Sequence, residues 1–484
     1  MDRHIAVIDM KSFYAFVECV ERNLNPFTTP LAVCDPTRGE GTVVMSVSPF
    51  LKELGVPSVC RKRDLPKIPG MVLAQPRMSL YIKKSAEILN IVLNYVGEDD
   101  IHVYSIDEFF VNLGPYLKTY NCTAYQLTKK LQNEITSKTG LLTTAGVSYN
   151  MFMAKAALDL DGKKKPPYIA QWTKADVKKK LWKVTPLSKM WGISHGYETR
   201  LNALGIETVG QLANADKNLL KAKLGIMGEQ LWEHANGIDN TNLREKYIPE
   251  DTSFSNGQVL MRDYSPEEGK LILKEMNDDL AMRLRSHGKT TRRLGVAIRY
   301  TFAEGGGFSH QVTLDYPTDD TDKIYADLLK IYEKYIGNHK IRGVYITYSQ
   351  LESGDYEQLN LFEVGKVDQS KRDVTKAIDD LKRKYGKDTI LRASALLEES
   401  TAKERHNQIG GHHKWAIVAW RSGLHFPLWL NKQLALNRWN TKEIRLKDQF
   451  SQKTEKKKLI TSFNHMKEGK LLKLNSSMMV TFIL

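Results

Sequence analysis

Short β-branched runs at 3–10 and 143–148 read as strands. Over 79–96 the apolar positions Leu80, Ala86, Leu89, Ile91, Val92 and Leu93 recur with helical spacing. A helix is expected from Ser12 to about Arg22, with the Ser12 hydroxyl as its N-cap acceptor. Residues 25–76 change character: Pro26, Pro30, Pro36, Pro49, Pro57, Pro66, Pro69 and Pro76 punctuate short segments, the mark of a small inserted module. A strand carrying Asp107 and a helix over 123–138 complete the first part, and strand, helix, strand, helix, strand is the order of a ferredoxin-like unit. After a lysine-rich stretch at 159–183, two short helices joined by Gly192-Ile-Ser-His-Gly196 form a candidate helix-hairpin-helix, with a second candidate at Leu224-Gly-Ile-Met-Gly228. A second βαββαβ unit follows, as strand 254–260, helix 266–286, strands 294–302 and 308–314, helix 322–335 and strand 341–349. Residues 356–411 show little apolar patterning before a charged helix near 368–385, and 413–484 show no period.

The costliest local feature is Tyr104-Ser-Ile-Asp-Glu-Phe-Phe110, which sets Asp107 beside Glu108 between apolar residues. Adjacent carboxylates repel, and burying one unpaired costs roughly several kcal/mol, so cations are called for. A divalent metal is the simplest cation, and a solvated strand end is the plainer alternative. Asp9 ends a similar strand-like run. Three carboxylates at strand ends suit two magnesium ions, hard cations that take oxygen ligands and, about 3.5 to 4 Å apart, clamp both oxygens of a phosphoryl displacement. One of Lys163, Lys164 or Lys165 could reach a triphosphate, or all three could solvate a loop. Backbone N–H groups around Gly192 to Gly196 can hold a DNA phosphate without reading sequence. Lys289, Arg292, Arg293, Arg299 and Arg342 either line a DNA backbone or solubilise a face. Gln358-Leu-Asn-Leu-Phe362 places large apolar residues in a polar setting, suited to insertion into a partner's pocket or to a buried edge.

Composition narrows the partners. At 484 residues the chain is too long for one core and divides into roughly three or four domains. Its net charge of +15 favours a polyanion. The excess is uneven: residues 413–484 hold 14 Lys and Arg against 4 acids, together with Trp415, Trp420, Trp429 and Trp439. No apolar run approaches the roughly 20 residues of a membrane span, and the start lacks a signal peptide's pattern, so a soluble, cytoplasmic protein is expected. Cys19, Cys34, Cys60 and Cys122 lack zinc or disulfide-framework spacing and read as reduced thiols.

Asp9-Met-Lys-Ser-Phe-Tyr-Ala15 with Val17-Glu18, Ser105-Ile-Asp-Glu108, Ala145-Gly-Val-Ser148 with Met153-Ala-Lys155, the hairpin near Gly192, and Gln358 to Phe362 together resemble a Y-family translesion DNA polymerase of the bacterial UmuC-like branch, over roughly residues 3–411. The resemblance implies an α+β right-hand polymerase. Its ferredoxin-like palm would be 1–25 and 77–165, its small fingers 26–76, its helix-hairpin-helix thumb 166–245 and its βαββαβ little finger 252–350. A linker with a sliding-clamp motif would occupy 351–412, and the atypical basic tail 413–484 reads as a frameshift or fusion.

In such an enzyme Asp9, Asp107 and Glu108 are the catalytic, metal-binding acids, and the Met10 carbonyl also contacts one of two Mg2+ ions. Tyr14 would sit under the sugar and exclude a 2′-hydroxyl, with Phe13 beside it, although an aromatic at that point of a helix packs inward. Ser46, Pro49 and Lys52 would meet the incoming nucleotide, with one of Lys163, Lys164 or Lys165 at the triphosphate. Pro49 replaces a frequent tyrosine and Lys52 a frequent arginine, losing bidentate geometry, and Ser194 replaces a frequent glycine. Gly192, Ser194, Gly196, Arg292, Arg293 and Arg299 would bind DNA, and Gln358, Leu359, Leu361 and Phe362 the bacterial sliding clamp (beta subunit).

The implied activity is error-prone, template-directed synthesis past lesions in SOS-type DNA repair, using primer-template DNA and deoxynucleoside triphosphates. A need for a recombinase filament or accessory subunit is left open. The alternative is a catalytically impaired scaffold that binds DNA and the clamp. A nucleotide cyclase on the same palm does not fit the hairpins, the basic second unit or the clamp-like segment.

Overall fold

The computed structural model describes residues 3–245, 252–354 and 369–414. The unit that the resemblance makes the palm is built on β1 (Ile5–Met10), α1 (Phe13–Val20), α2 (Met78–Leu93), β2 (Ile101–Val103), β3 (Glu108–Asn112), α3 (Ala124–Thr139), β4 (Thr143–Ser148), α4 (Met151–Ala157) and β5 (Ile169–Gln171). Its sheet order is β5-β4-β1-β3-β2, antiparallel except for β5 beside β4. The apolar faces of α1, α2 and α3 cover one side and bury Phe13, Val17, Ile88, Leu89, Leu127, Leu131 and Ile135, as period-3.6 patterning on a sheet requires.

Two local expectations are corrected here. The strand expected to carry Asp107 is a hairpin: β2 and β3 pair up to Val103 and Phe109, and 104–107 form the loop. Ser12 does not cap α1. It is left-handed (φ 50°, ψ 44°), with no side-chain cap bond, and its carbonyl instead accepts from Phe16 N–H and the Ser46 hydroxyl. Thr123, by contrast, caps α3 through a reciprocal bond with Gln126.

The proline-punctuated insertion is a separate small unit. Its strands Ser46–Val47, Leu31–Val33 and Val72–Ala74 pair in that order, over a core of Ala32, Cys34, Val44, Val47 and Leu51. The helical unit that follows the palm contains α5 (His195–Asn202), α6 (Val209–Asn214), α7 (Lys217–Leu224) and α8 (Ile226–Ala235). The element immediately before Gly192 is a 3-10 turn, Leu187–Lys189, so the first expected helix pair is a turn leading into α5. The second candidate is a true pair: α7 and α8 meet at Gly225, and a Cβ on Gly228 would lie 2.2 Å from the Leu220 carbonyl oxygen.

The second βαββαβ unit forms as expected, with longer strands: β6 (Phe254–Tyr264), α9 (Pro266–Ser286), β7 (Lys289–Tyr300), β8 (Gly307–Thr318), α10 (Thr321–Ile336) and β9 (Ile341–Ser353). Its order, β6-β9-β7-β8, differs from the palm's. Leu294, Val296 and Ile298 pack against α9 and α10. Strand alternation therefore puts Arg293, Ala297 and Arg299 on the open face.

The charged helix expected near 368–385 spans Gln369–Tyr385, and the residues after it to 414, expected as linker, are folded as well. Arg392 pairs with Asp278 and Arg405 with Asp279 on α9, while His413 meets Asp35 at 3.1 Å in the small insertion. The clamp-like segment 358–362 and the tail beyond 414 lie outside the described residues. Among the described residues no helix is long and apolar enough to cross a membrane.

Candidate active site

Register brings the carboxylates together. In the palm sheet Asp9 pairs with Glu108 across β1 and β3, and with Thr144 on β4. Met10 N–H donates to the Asp107 carbonyl at 2.9 Å, which ties the hairpin loop to β1. The Ser105 hydroxyl donates to Asp107 Oδ1 at 2.7 Å, and Tyr104 N–H and Ser105 N–H both donate to the Glu108 carbonyl. Three acids drawn from positions 9, 107 and 108 thus share one end of the sheet.

Lysines neutralise them. Lys155 is buried, with Nζ 2.7 Å from Glu108 Oε2 and 3.2 Å from Asp159. Lys163 lies 3.2 Å from Asp9 and 2.9 Å from Asp159. These come from α4 and the π-helical turn Leu158–Gly162 that extends it. Lys155, Asp159 and Lys163 fall at i, i+4 and i+8 on one helical face, a spacing readable in sequence that places Lys155 and Asp159 beside Lys163 at the site. The helix sits close because position 146 is glycine: a Cβ there would lie 2.1 Å from the Ala154 carbonyl oxygen.

Burial sets the electrostatics. It pushes the Glu108 carboxyl up to about 7, against the pull of Lys155. Asp9 is raised by burial as well, with Lys163 opposing and Asp107 adding to the shift. Burial also lowers Lys52 and Lys11, and the repulsion of Lys11 adds to the shift on Lys52. For Lys163 burial is outweighed by Asp9 and Asp159, which hold its ammonium above its usual range.

A carboxyl raised in the folded chain stabilises the fold below its ordinary pKa, and that contribution disappears as pH rises through about 7. Without divalent ions, the melting temperature of the unaltered chain is therefore expected to fall more steeply than that of Glu108→Gln between about pH 5 and pH 8. Parallel melting curves would show that Glu108 titrates normally.

Among the described residues no three His, Cys, Asp or Glu side chains form a ready cage for an ion, because Lys155 and Lys163 interleave the acids. The donor chemistry still fits a hard divalent cation: Asp9 and Glu108 face each other in register, Asp107 is near enough to raise Asp9, and Glu108 Oε1 is buried without a hydrogen-bond partner among the described residues.

The other expected residues divide. Tyr14 is partly buried against this core, its ring 4.7 Å from Tyr81 and 5.5 Å from Phe13. Phe13 itself is 2% exposed, so its expected contact with a nucleotide is corrected: it is a core residue. The buried Ser46 hydroxyl is taken up by the Ser12 carbonyl and Ala15 N–H. Lys164 turns away to Asp161 at 3.7 Å, while Lys163 joins Lys155 at the acids. Gly192, Ser194 and Gly196 are exposed at the start of α5. Arg293 and Arg299 are on the open sheet face, where Thr313 accepts from Arg293, while Arg292 is exposed and donates to the Leu314 carbonyl.

The family model described as impB/mucB/samB family matches residues 8–159, and that of the impB/mucB/samB family C-terminal domain matches residues 251–361. The chain belongs to this family. UvrX of Bacillus subtilis (strain 168), whose name refers to UV-damage repair, is 40% identical over 413 residues, spanning 85% of this chain and 97% of its own. DNA polymerase IV 2 of the same organism is 32% identical over 418 residues, 85% of this chain and 99% of its own. The solved Y-family DNA polymerase chimera Dbh-Dpo4(243-245)-Dbh shares the fold, with a TM-score of 0.59 over 72% of this chain and 99% of the chimera at 19% identity. The α+β multidomain architecture and the Y-family resemblance drawn from the motifs therefore stand, and the paired acids lie inside the first family match.

Proposed function

We propose that this DNA-directed DNA polymerase of the impB/mucB/samB family inserts nucleotides opposite damaged template bases with low fidelity, at Asp9, Asp107 and Glu108. The observation that carries the reading is the pairing of Asp9 with Glu108 in register, with Asp107 in the adjoining loop and Lys52 and Lys163 close by. Two magnesium ions held by these acids and the Met10 carbonyl would neutralise the triphosphate and lower the pKa of the primer 3′-hydroxyl.

The chain's own residues do the rest. Lys163 leaves Asp9 and Asp159 for the triphosphate, a transfer between anions that keeps its charge paired, and Lys52 supports it as a point charge. The Tyr14 ring blocks a 2′-hydroxyl. Backbone amides around Gly192, Ser194 and Gly196 hold a phosphate of the duplex, and Arg292, Arg293 and Arg299 hold its backbone. The insertion's two- and three-residue strands offer little surface for checking a nascent pair, which is the basis for low fidelity. Gln358, Leu359, Leu361 and Phe362 supply the sliding-clamp anchor on sequence grounds alone.

The test is primer extension by the full chain on undamaged and abasic templates. Extension past the abasic site is expected in magnesium, and Tyr14→Ala is expected to lower discrimination against ribonucleotides by about a hundredfold. No extension in magnesium or manganese, with duplex binding retained, would instead establish the catalytically impaired scaffold.

A further inference from the structure

The loop that carries Asp107 has a second anchor, on the helical unit rather than the palm. Trp191, the residue before the exposed Gly192, points its indole N–H at the Tyr104 hydroxyl, 3.3 Å away, and the two rings meet edge to face at 5.8 Å. Tyr104 is the first residue of the 104–107 loop and also packs on Phe110 of β3 at 5.9 Å. Trp191 is itself wedged between the two units. It stacks near Phe152 of α4 at 6.4 Å and His234 of α8 at 6.4 Å, and lies 6.3 Å from Phe110. Aromatic pairs of this kind are stiff and directional. A shift of the Gly192 turn is therefore felt at Tyr104, and through the two main-chain bonds from Tyr104 and Ser105 to the Glu108 carbonyl it is felt at both adjacent acids.

We propose that Trp191 and Tyr104 form a positioning pair through which duplex held at the Gly192 turn orders the Asp107 loop for divalent-ion binding. The inference rests on the reading of Asp107 and Glu108 as metal ligands. Both are positioning residues, acting through the loop that carries Asp107. Their effect is a coupling free energy between two sites, and such coupling is reciprocal.

The test uses the full chain and Mn2+, with free ion followed by its EPR signal, with and without primer-template duplex, and with ions bound by duplex alone subtracted. In the unaltered protein, duplex is expected to tighten Mn2+ binding by about fivefold. Trp191→Phe and Tyr104→Phe keep the aromatic packing and remove one partner of the hydrogen bond. Each is expected to abolish most of that enhancement, and the double variant to be no worse than either single, as for residues acting as one unit. Duplex affinity without metal should stay within about twofold of the unaltered value, since neither side chain is placed on DNA. Full enhancement in both single variants, or strictly additive losses, would overturn the pairing. Unchanged Mn2+ affinity in Asp107→Ala would overturn the metal-ligand reading beneath it, a result distinguishable from failure of the pair alone.

Discussion

Asp107→Ala is expected to lower the single-turnover rate of primer extension about a thousandfold, the scale on which loss of one preorganised charged group acts in an active site, with duplex binding unchanged. The substitution is a clean one. Asp107 is held in its loop by its main-chain carbonyl, which accepts from Met10 N–H, so the backbone path survives removal of the carboxylate. Among the described residues its side chain is hydrogen-bonded by the neighbouring Ser105 alone. Glu108→Ala is expected to lose as much activity and some stability too, because buried Lys155 would keep only Asp159 at 3.2 Å as its counter-ion. A rate for Asp107→Ala within tenfold of the unaltered chain would mean that synthesis does not occur at these acids.

Gly146→Ala is expected to destabilise the palm by about 3 kcal/mol, at the upper end for overpacking, and to lower the melting temperature by about 10 °C. The added Cβ would lie 2.1 Å from the Ala154 carbonyl and 2.4 Å from Leu158 N. Both are backbone atoms of the helix that carries Lys155 and Asp159, so no side chain can rotate away. The helix must lift from β4, which carries Lys155 off Glu108. Lower activity should therefore accompany the lower melting temperature. An unshifted melting curve would mean that the strand and helix are not packed this closely.

Much of this molecule is legible from local pattern. Strand 143–148, the helices near 79–96 and 123–138, and the order of the second βαββαβ unit follow from periods of two and 3.6, since each depends on neighbours within one element. The motifs around Asp9 and Asp107 likewise sufficed to name the family. Where local chemistry misled, a distant partner had prevailed. Ser12 has an N-cap's side chain, yet its left-handed backbone is braced by Ser46 from another unit. The Gly192 stretch has a hairpin's glycines, but the element immediately before it is a 3-10 turn.

What the sequence by itself determined is which elements form and which residue types could do the chemistry: acids for cations, lysines for phosphate, glycines where backbones approach. What only the tertiary structure decided is which of them meet. Asp9 faces Glu108 because β1 and β3 pair in one register and no other, and a slip of one residue would turn Asp9 to the opposite face. Lys163 stands at the acids in place of Lys164 because the turn after α4 points them apart. Trp191 reaches Tyr104 across 87 positions of chain. Such contacts are settled by packing between elements, and separation along the chain carries no information about them.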